Sequence, residues 1–284
     1  MTVLVVGSTG SIGSRVVEEL LAAGEHVRAL VRNDARAGAL PVGADGVVAD
    51  LGDAPAVVRA TEGADRVVLI AANSPEQEQQ EGNVIDAART HGVRHLVKLS
   101  VGGAAPDAGL ALARAHWAAE QRLRASGVPA TTVRPGFFMQ NLLQYADWID
   151  DDGSWRLPMG DSPIAMVDAS DVAAVIAATV LGGPGGSDPV VTGGTAITMQ
   201  DAAEALGTAA GRRITYVDGD PDEYRRHMVL DGHDEQYAED MTVLYDQVIR
   251  AGYAGAVTDD VVRILGRGPR TFDQFAAANA DAFR

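Results

Sequence analysis

The strongest constraint on this chain lies in its first thirteen residues. Val3-Leu4-Val5-Val6 runs directly into Gly7-Ser8-Thr9-Gly10-Ser11-Ile12-Gly13, and an amphipathic run from Ser14 to Ala23 follows at once. That order predicts a strand, a tight glycine turn and a helix. Each glycine has its own task in such a turn. Gly7 lets the chain leave the strand sharply, Gly10 lets a pyrophosphate approach the backbone, and Gly13 lets the helix pack close to the strand. The N–H groups and partial positive charge at the helix N-terminus then favour phosphate. A glycine pattern alone is weak; the strand before it and the helix after it make it a dinucleotide-site prediction. Thr9, Ser11 and Ile12 fall within the same site, and the Thr9 and Ser11 hydroxyls either reach phosphate or cap the helix.

The rest of the chain alternates. Strands are expected at 3–6, 27–31, 47–49, 66–71, 95–100 and 130–134, and helices at about 12–23, 55–61, 76–91 and 108–125. Short apolar strands alternating with helices imply a parallel sheet covered on both faces. Right-handed crossovers then make a Rossmann-like, doubly wound α/β fold the first choice. After Pro135 the rhythm breaks into helical stretches at 137–147, 168–181, 199–211 and 235–252 and strands at 190–192 and 214–217. The expected organisation is a dinucleotide-binding Rossmann-like domain over 1–150. A smaller mixed α/β substrate lobe covers 151–284, with parts returning to the sheet.

Composition closes off other classes. The absence of cysteine excludes disulfides and thiolate catalysis. A net charge of −16 disfavours nucleic acid as a partner. Nine acidic residues and two arginines between Asp218 and Asp240 read as a solvated face. No apolar run is long enough to span a membrane, and the chain starts on a strand without a basic leader, so a cytoplasmic location is expected. His227 and His233 lack helical ligand spacing, and no metal site is expected. Oligomeric state is not legible.

Strand ends supply the cofactor-side candidates. Strand two ends at Arg32, where NAD-specific enzymes place an acid for the ribose hydroxyls. An arginine fork suits the 2′-phosphate of NADP, so NADP(H) is the expected cofactor. Asp34 lies two residues on and keeps NAD(H) as the second choice. Asp50-Leu51 ends strand three, and Ala71-Ala72-Asn73 ends strand four, where small residues let a ribose pass.

The spacing Gly7-x-x-Gly10-x-x-Gly13 resembles that of the extended and atypical short-chain dehydrogenase/reductase superfamily. That resemblance implies that the Asp50 carboxylate lies beside the adenine; its alternative is a turn or capping aspartate. The stretches Arg94-His95-Leu96-Val97-Lys98-Leu99-Ser100, His116-x-x-x-Glu120 and Ser126 to Asn141, with the tail Thr258-Asp259-Asp260 and Pro269-Arg270-Thr271-Phe272, resemble the NmrA-like group of that superfamily. Arg134-Pro135-Gly136-Phe137-Phe138-Met139-Gln140-Asn141 is the most specific part. The group includes quinone and triphenylmethane-dye reductases and redox sensors that bind NADP without turnover. The resemblance places Ser100, His116, Pro135, Gly136 and Phe137 at the nicotinamide end.

One departure from the superfamily shapes the expected chemistry. Its Tyr-x-x-x-Lys pair falls at Leu112 and His116. Without that tyrosine, ketone reduction by the usual triad is not expected. His116 can hold the nicotinamide ribose and relay a proton near neutral pH, with Ser100 beside it. An acceptor that spreads its charge needs mainly orientation and a flat apolar slot. Phe137, Phe138, Met139, Tyr145, Trp148 and Trp155 are candidates for that slot, with core packing as the alternative for each. The expectation is an NADPH-dependent reductase of a quinone-like or other conjugated aromatic small molecule. A non-catalytic NADP(H) sensor and a pathway-specific biosynthetic reductase or redox-neutral cyclase stay open as alternatives.

Overall fold

A computed structural model describes residues 1–284, the side chain of Asp34 excepted. The first half runs β1 (Thr2–Val6), α1 (Gly13–Ala22), β2 (His26–Val31), α2 (Asp34–Ala37), β3 (Asp45–Val48), α3 (Ala54–Thr61), β4 (Arg66–Leu69), α4 (Gln77–Thr90), β5 (His95–Leu99), α5 (Ala111–Ser126) and β6 (Ala130–Pro135). The second half continues with β7 (Ser154–Leu157), α6 (Ala169–Gly182), β8 (Val190–Val191), α7 (Met199–Ala210), β9 (Thr215–Asp218), α8 (Pro221–Leu230), α9 (Glu235–Val243), α10 (Asp260–Leu265) and α11 (Phe272–Ala278).

Seven strands form one parallel sheet in the order β3-β2-β1-β4-β5-β6-β8. This is the doubly wound arrangement expected from the alternation, and the strand order reverses between β1 and β4. The period of two along β1 shows how the layers are built. Val3 and Val5 pack on one face against Val16, Val17 and Leu20 of α1 and Val172 and Ile176 of α6. Leu4 and Val6 pack on the other against Val57 of α3 and Val84 and Ile85 of α4. Each such fully buried side chain contributes about 1.5–3 kcal/mol. Helix α6 is apolar nearly all round because it lies between the sheet, α1 and α10. Asp168 caps it by accepting from Ser170 N at 2.7 Å. Asp171, in its first turn, does not cap. It is fully buried and accepts from Arg267 Nη1 at 2.7 Å and from the Arg270 backbone N–H at 2.6 Å.

A third core belongs to the C-terminal lobe and gathers Phe137, Tyr145, Trp155, Tyr224, Tyr245 and Phe283. Here the structure differs from the sequence reading. Residues 139–148 form a 3₁₀ helix, and Leu244–Ile249 a π-helical turn after α9. The acidic stretch is not merely a solvated face: α8 and α9 turn Tyr224, Met228 and Ala238 inward while their carboxylates stay outside. Strands β7 and β9 pair in a separate two-stranded sheet, and β7 had no counterpart in the sequence reading. No helix is long and apolar enough to cross a membrane among the described residues.

Candidate functional site

A cleft of about 680 Å³ opens at the carboxyl ends of the strands, beside the β1/β4 reversal. Ligands of doubly wound sheets bind at such a crevice. The turn after β1 gives it Gly7, Thr9, Gly10, Ser11 and Ile12, and β2 gives it Arg32. Asp50 and Leu51 follow β3, Ala71, Ala72 and Asn73 follow β4, and Ser100 follows β5. His116 enters from α5, and Phe138 from the segment after β6.

The three glycines divide their work. Gly7 has φ +77°, and a Cβ there would lie 2.1 Å from the Ile70 carbonyl oxygen. At Gly13 a Cβ would lie 2.1 Å from the Gly7 carbonyl oxygen. Both are demanded by the chain's own backbone. At Gly10 a Cβ would meet only the Gly7 carbonyl oxygen, at 3.4 Å, so the fold does not require glycine there. The space beside Gly10 is cleft. Ser8 turns away, fully buried, and its hydroxyl donates to Leu30 O at 2.8 Å, tying the turn to β2. Ile12, at the N-cap of α1, supplies no side-chain cap, and the first turn carries no acid. The Ser14 N–H donates to Gly10 O and the Gly10 N–H to Gly7 O, both at 3.0 Å, and the remaining N–H groups of this turn are left for an anion.

The ribose end holds a second arginine that sequence reasoning missed. Asn33 accepts from Arg36 N at 3.2 Å and nucleates the single turn α2. That turn brings Arg36 into the cleft beside the exposed Arg32. A four-residue helix is too short for periodicity to reveal; the Asn33 cap was the one local signal. The side chain of Asp34 lies outside the described residues. Asp50 accepts from Gly52 N at 2.7 Å, so its carboxylate shapes the turn while it lines the cleft.

At the other end the polar groups are buried and committed. Ser100 donates its hydroxyl to Glu120 Oε1 at 2.7 Å. Arg134 closes on Glu120 with two bonds of 2.9 and 2.6 Å, and Arg124 adds a third of 3.1 Å. Burial opposes the Glu120 charge, but the bonds from Arg134 and Ser100 outweigh it and hold the carboxyl below its ordinary range. Ser100 therefore presents lone pairs, not a proton, to the cleft.

Lys98, fully buried in β5, meets Glu81 Oε1 of α4 at 2.9 Å, Leu99 O at 3.0 Å and His116 Nδ1 at 3.0 Å. Burial pushes Lys98 down and Glu81 up, and each resists the other's shift. His116 is pushed down to about 3, first by burial and then by the Lys98 charge. That shift disfavours an imidazolium at His116 near neutral pH. Lys98 was also missed as a site residue. A lysine amid the apolar run of β5 was the available signal, since such a charge is costly unless paired.

Several other candidates lie elsewhere. Gly13 is buried under the turn and does not line the cleft. Pro135 and Gly136 close the sheet end, where the Gly136 N–H donates to Val191 O at 2.9 Å and Pro135 O accepts from Gly102 N at 2.8 Å. Phe137 packs into the lobe core with its ring 6.0 Å from Tyr245. Tyr145 is buried, its hydroxyl 2.7 Å from that of Tyr224 and 2.9 Å from that of Tyr245. Trp155 is fully buried and donates to Tyr145 O at 3.0 Å. Trp148 stacks on His227 at 4.0 Å and donates to Asp231. Their aromatic surface is spent on the lobe itself, so none of these four forms a wall of this cleft. Met139 borders a separate small cavity of about 130 Å³ with Met166, Arg270 and Phe272. Of the six aromatic and methionine candidates, Phe138 alone reaches the main cleft.

The NmrA-like family profile matches residues 1–276. The chain belongs to the NmrA-like family. An NAD(P)H azoreductase of Xenophilus azovorans is 38% identical over 99% of both chains. A (4-alkanoyl-5-oxo-2,5-dihydrofuran-3-yl)methyl phosphate reductase of Streptomyces griseus subsp. griseus is 36% identical over 99% of both. An NADPH-dependent quinone oxidoreductase from Escherichia coli, solved with NADPH, superposes with a TM-score of 0.87 at 26% identity, covering 97% of this chain and 99% of that one.

Proposed function

We propose that this protein is an NADPH-dependent reductase whose acceptor is a quinone or another conjugated aromatic molecule. The observation that carries the reading is the cleft at the strand reversal, with its uncapped helix and with space beside Gly10 that the fold itself does not need. The relatives that span the whole chain, one acting on azo compounds and one on a conjugated furanone, support the same class by their names.

The turn from Gly7 to Gly13 and the start of α1 would hold the pyrophosphate. Arg32 and Arg36 would hold the 2′-phosphate, and Asp50 would accept from the adenine amino group. Ser100 and His116 would hold the nicotinamide end, with Phe138 beside the acceptor. When bound, NADPH supplies the hydride. The chain's own groups supply orientation and a neutral hydrogen-bond donor. Leu112 stands where the superfamily's tyrosine would. Such a site suits an acceptor that spreads charge over a ring, because a simple ketone leaves a localised alkoxide that needs a proton at once.

The test is loss of NADPH absorbance with quinones, cationic dyes and azo compounds on one side and simple ketones and aldehydes on the other. Turnover with the first group alone is expected. His116→Ala should lower it about tenfold to a hundredfold without abolishing it. Brisk ketone reduction would overturn the mechanism. Tight NADPH binding with no turnover on any acceptor would move the assignment to a sensor.

A further inference from the structure

The buried Lys98 is not used by the reading above, and its partners constrain where the His116 proton lies. An ammonium carries three donors and no acceptor. Lys98 Nζ donates to the Leu99 carbonyl at 3.0 Å and lies 3.0 Å from His116 Nδ1, while Glu81 Oε1 at 2.9 Å is its ion-pair partner without hydrogen-bond geometry. An ammonium held charged by Glu81 can bond to His116 only if Nδ1 carries no proton. In a neutral imidazole the proton is then on Nε2. The Gln77 amide nitrogen lies 3.4 Å from both ring nitrogens, too evenly placed to choose between them. The charged groups around the ring are Lys98 from β5, Glu81 from α4 and Glu120 from its own helix, with Arg134 of β6 bound to Glu120.

We propose that Lys98, anchored by Glu81, is a positioning residue that locks His116 as its Nε2–H tautomer, so that the cleft faces a permanent neutral hydrogen-bond donor. Glu81 makes the lock possible. Without it the lysine would be an unpaired buried charge and would lose its proton. An unlocked ring would divide between two tautomers and present an acceptor to the cleft part of the time. The donor suits a ribose hydroxyl, a carboxamide oxygen or the oxygen of a quinone. That consequence rests on the reductase reading; the tautomer itself does not.

The experiment is ¹⁵N NMR of the imidazole nitrogens in the full-length protein labelled at histidine, with and without NADP⁺, assigned through His116→Asn. The expected spectrum has a protonated Nε2 and a bare Nδ1, unchanged between about pH 5 and pH 9. Lys98→Met alone would strand Glu81, so the second protein is Lys98→Met/Glu81→Gln, which removes both charges together. There the ring should populate both tautomers, and kcat with a quinone should fall roughly tenfold while far-ultraviolet circular dichroism is retained. A protonated Nδ1 in the wild type, or an unchanged tautomer in the folded double variant, would overturn the proposal. A locked Nε2–H in a protein that reduces no acceptor would leave the lock standing and remove the reductase reading instead.

Discussion

The strand-end cleft and the lobe core use their polar atoms in opposite ways. In the lobe, polar atoms close on one another: the Tyr145 hydroxyl lies between those of Tyr224 and Tyr245, and the Trp155 indole donates to the backbone. Burial raises all three tyrosines, Tyr145 to about 12, so none is a proton donor of ordinary strength. In the cleft, backbone N–H groups and two arginines are left facing space, with His116 on the lining. An aromatic cluster therefore marks a core unless its polar ends are left over, and a glycine marks a ligand when the backbone around it does not need it.

Substitutions at two glycines sharpen this contrast most. Gly7→Val forces a branched residue to φ +77° and drives its Cβ into Ile70. It should cost more than about 4 kcal/mol and leave little folded protein, seen as a lost thermal transition. Gly10→Val should keep the wild-type transition and lose NADPH binding in a fluorescence titration. Normal binding by Gly10→Val would put the site elsewhere. Next in size is Trp155→Ala, which empties a fully buried site and should cost about 3–5 kcal/mol in denaturant unfolding. Its NADPH affinity should stay at the wild-type value; a weakened affinity would return Trp155 to the site.

Acid probes the buried imidazoles. His95 is depressed to about 4 by burial and Arg66, and His116 to about 3 by burial and Lys98. Unfolded histidine titrates near 6.5, so below that pH the unfolded chain binds more protons and stability falls, the loss ending only below the folded values. At pH 5 each histidine should remove roughly 2 kcal/mol relative to pH 7. A flat unfolding free energy between the two would mean that both rings are charged in the fold. The smallest effect is at the ribose end. Arg32→Glu should weaken NADPH by about tenfold to a hundredfold and spare NADH, because one charge-assisted contact is worth about 1.5–3 kcal/mol. Equal wild-type affinities for the two cofactors would remove the role given to Arg32.

Much of the sheet was legible because its signals are local. Each strand is a short apolar run ended by glycine, alanine or a polar residue, and the turn from Gly7 to Gly13 announces itself within thirteen residues. The lobe was less legible because direction there is set by partners far along the chain. Nothing near Tyr145 says that Tyr224 and Tyr245 will meet its hydroxyl, and α8 hides Tyr224 and Met228 among acids. The cleft lay between these extremes. Its strand-end residues were readable, whereas Lys98 needed Glu81 and His116 brought from two different helices before it meant anything.

The carboxylate of Asp171 has a bearing on how this protein can be dissected. It sits on a helix that flanks the sheet, yet its two donors come from the last eighteen residues of the chain. A fragment that stops before Arg267 keeps the helix and takes both donors from a carboxylate that is fully buried in the whole chain, at a cost of about 3–5 kcal/mol. The tail thus works as a fastener rather than a trailing end. Shortened versions made for crystals or fusions should keep it, and a tag belongs beyond Arg284 or before Met1.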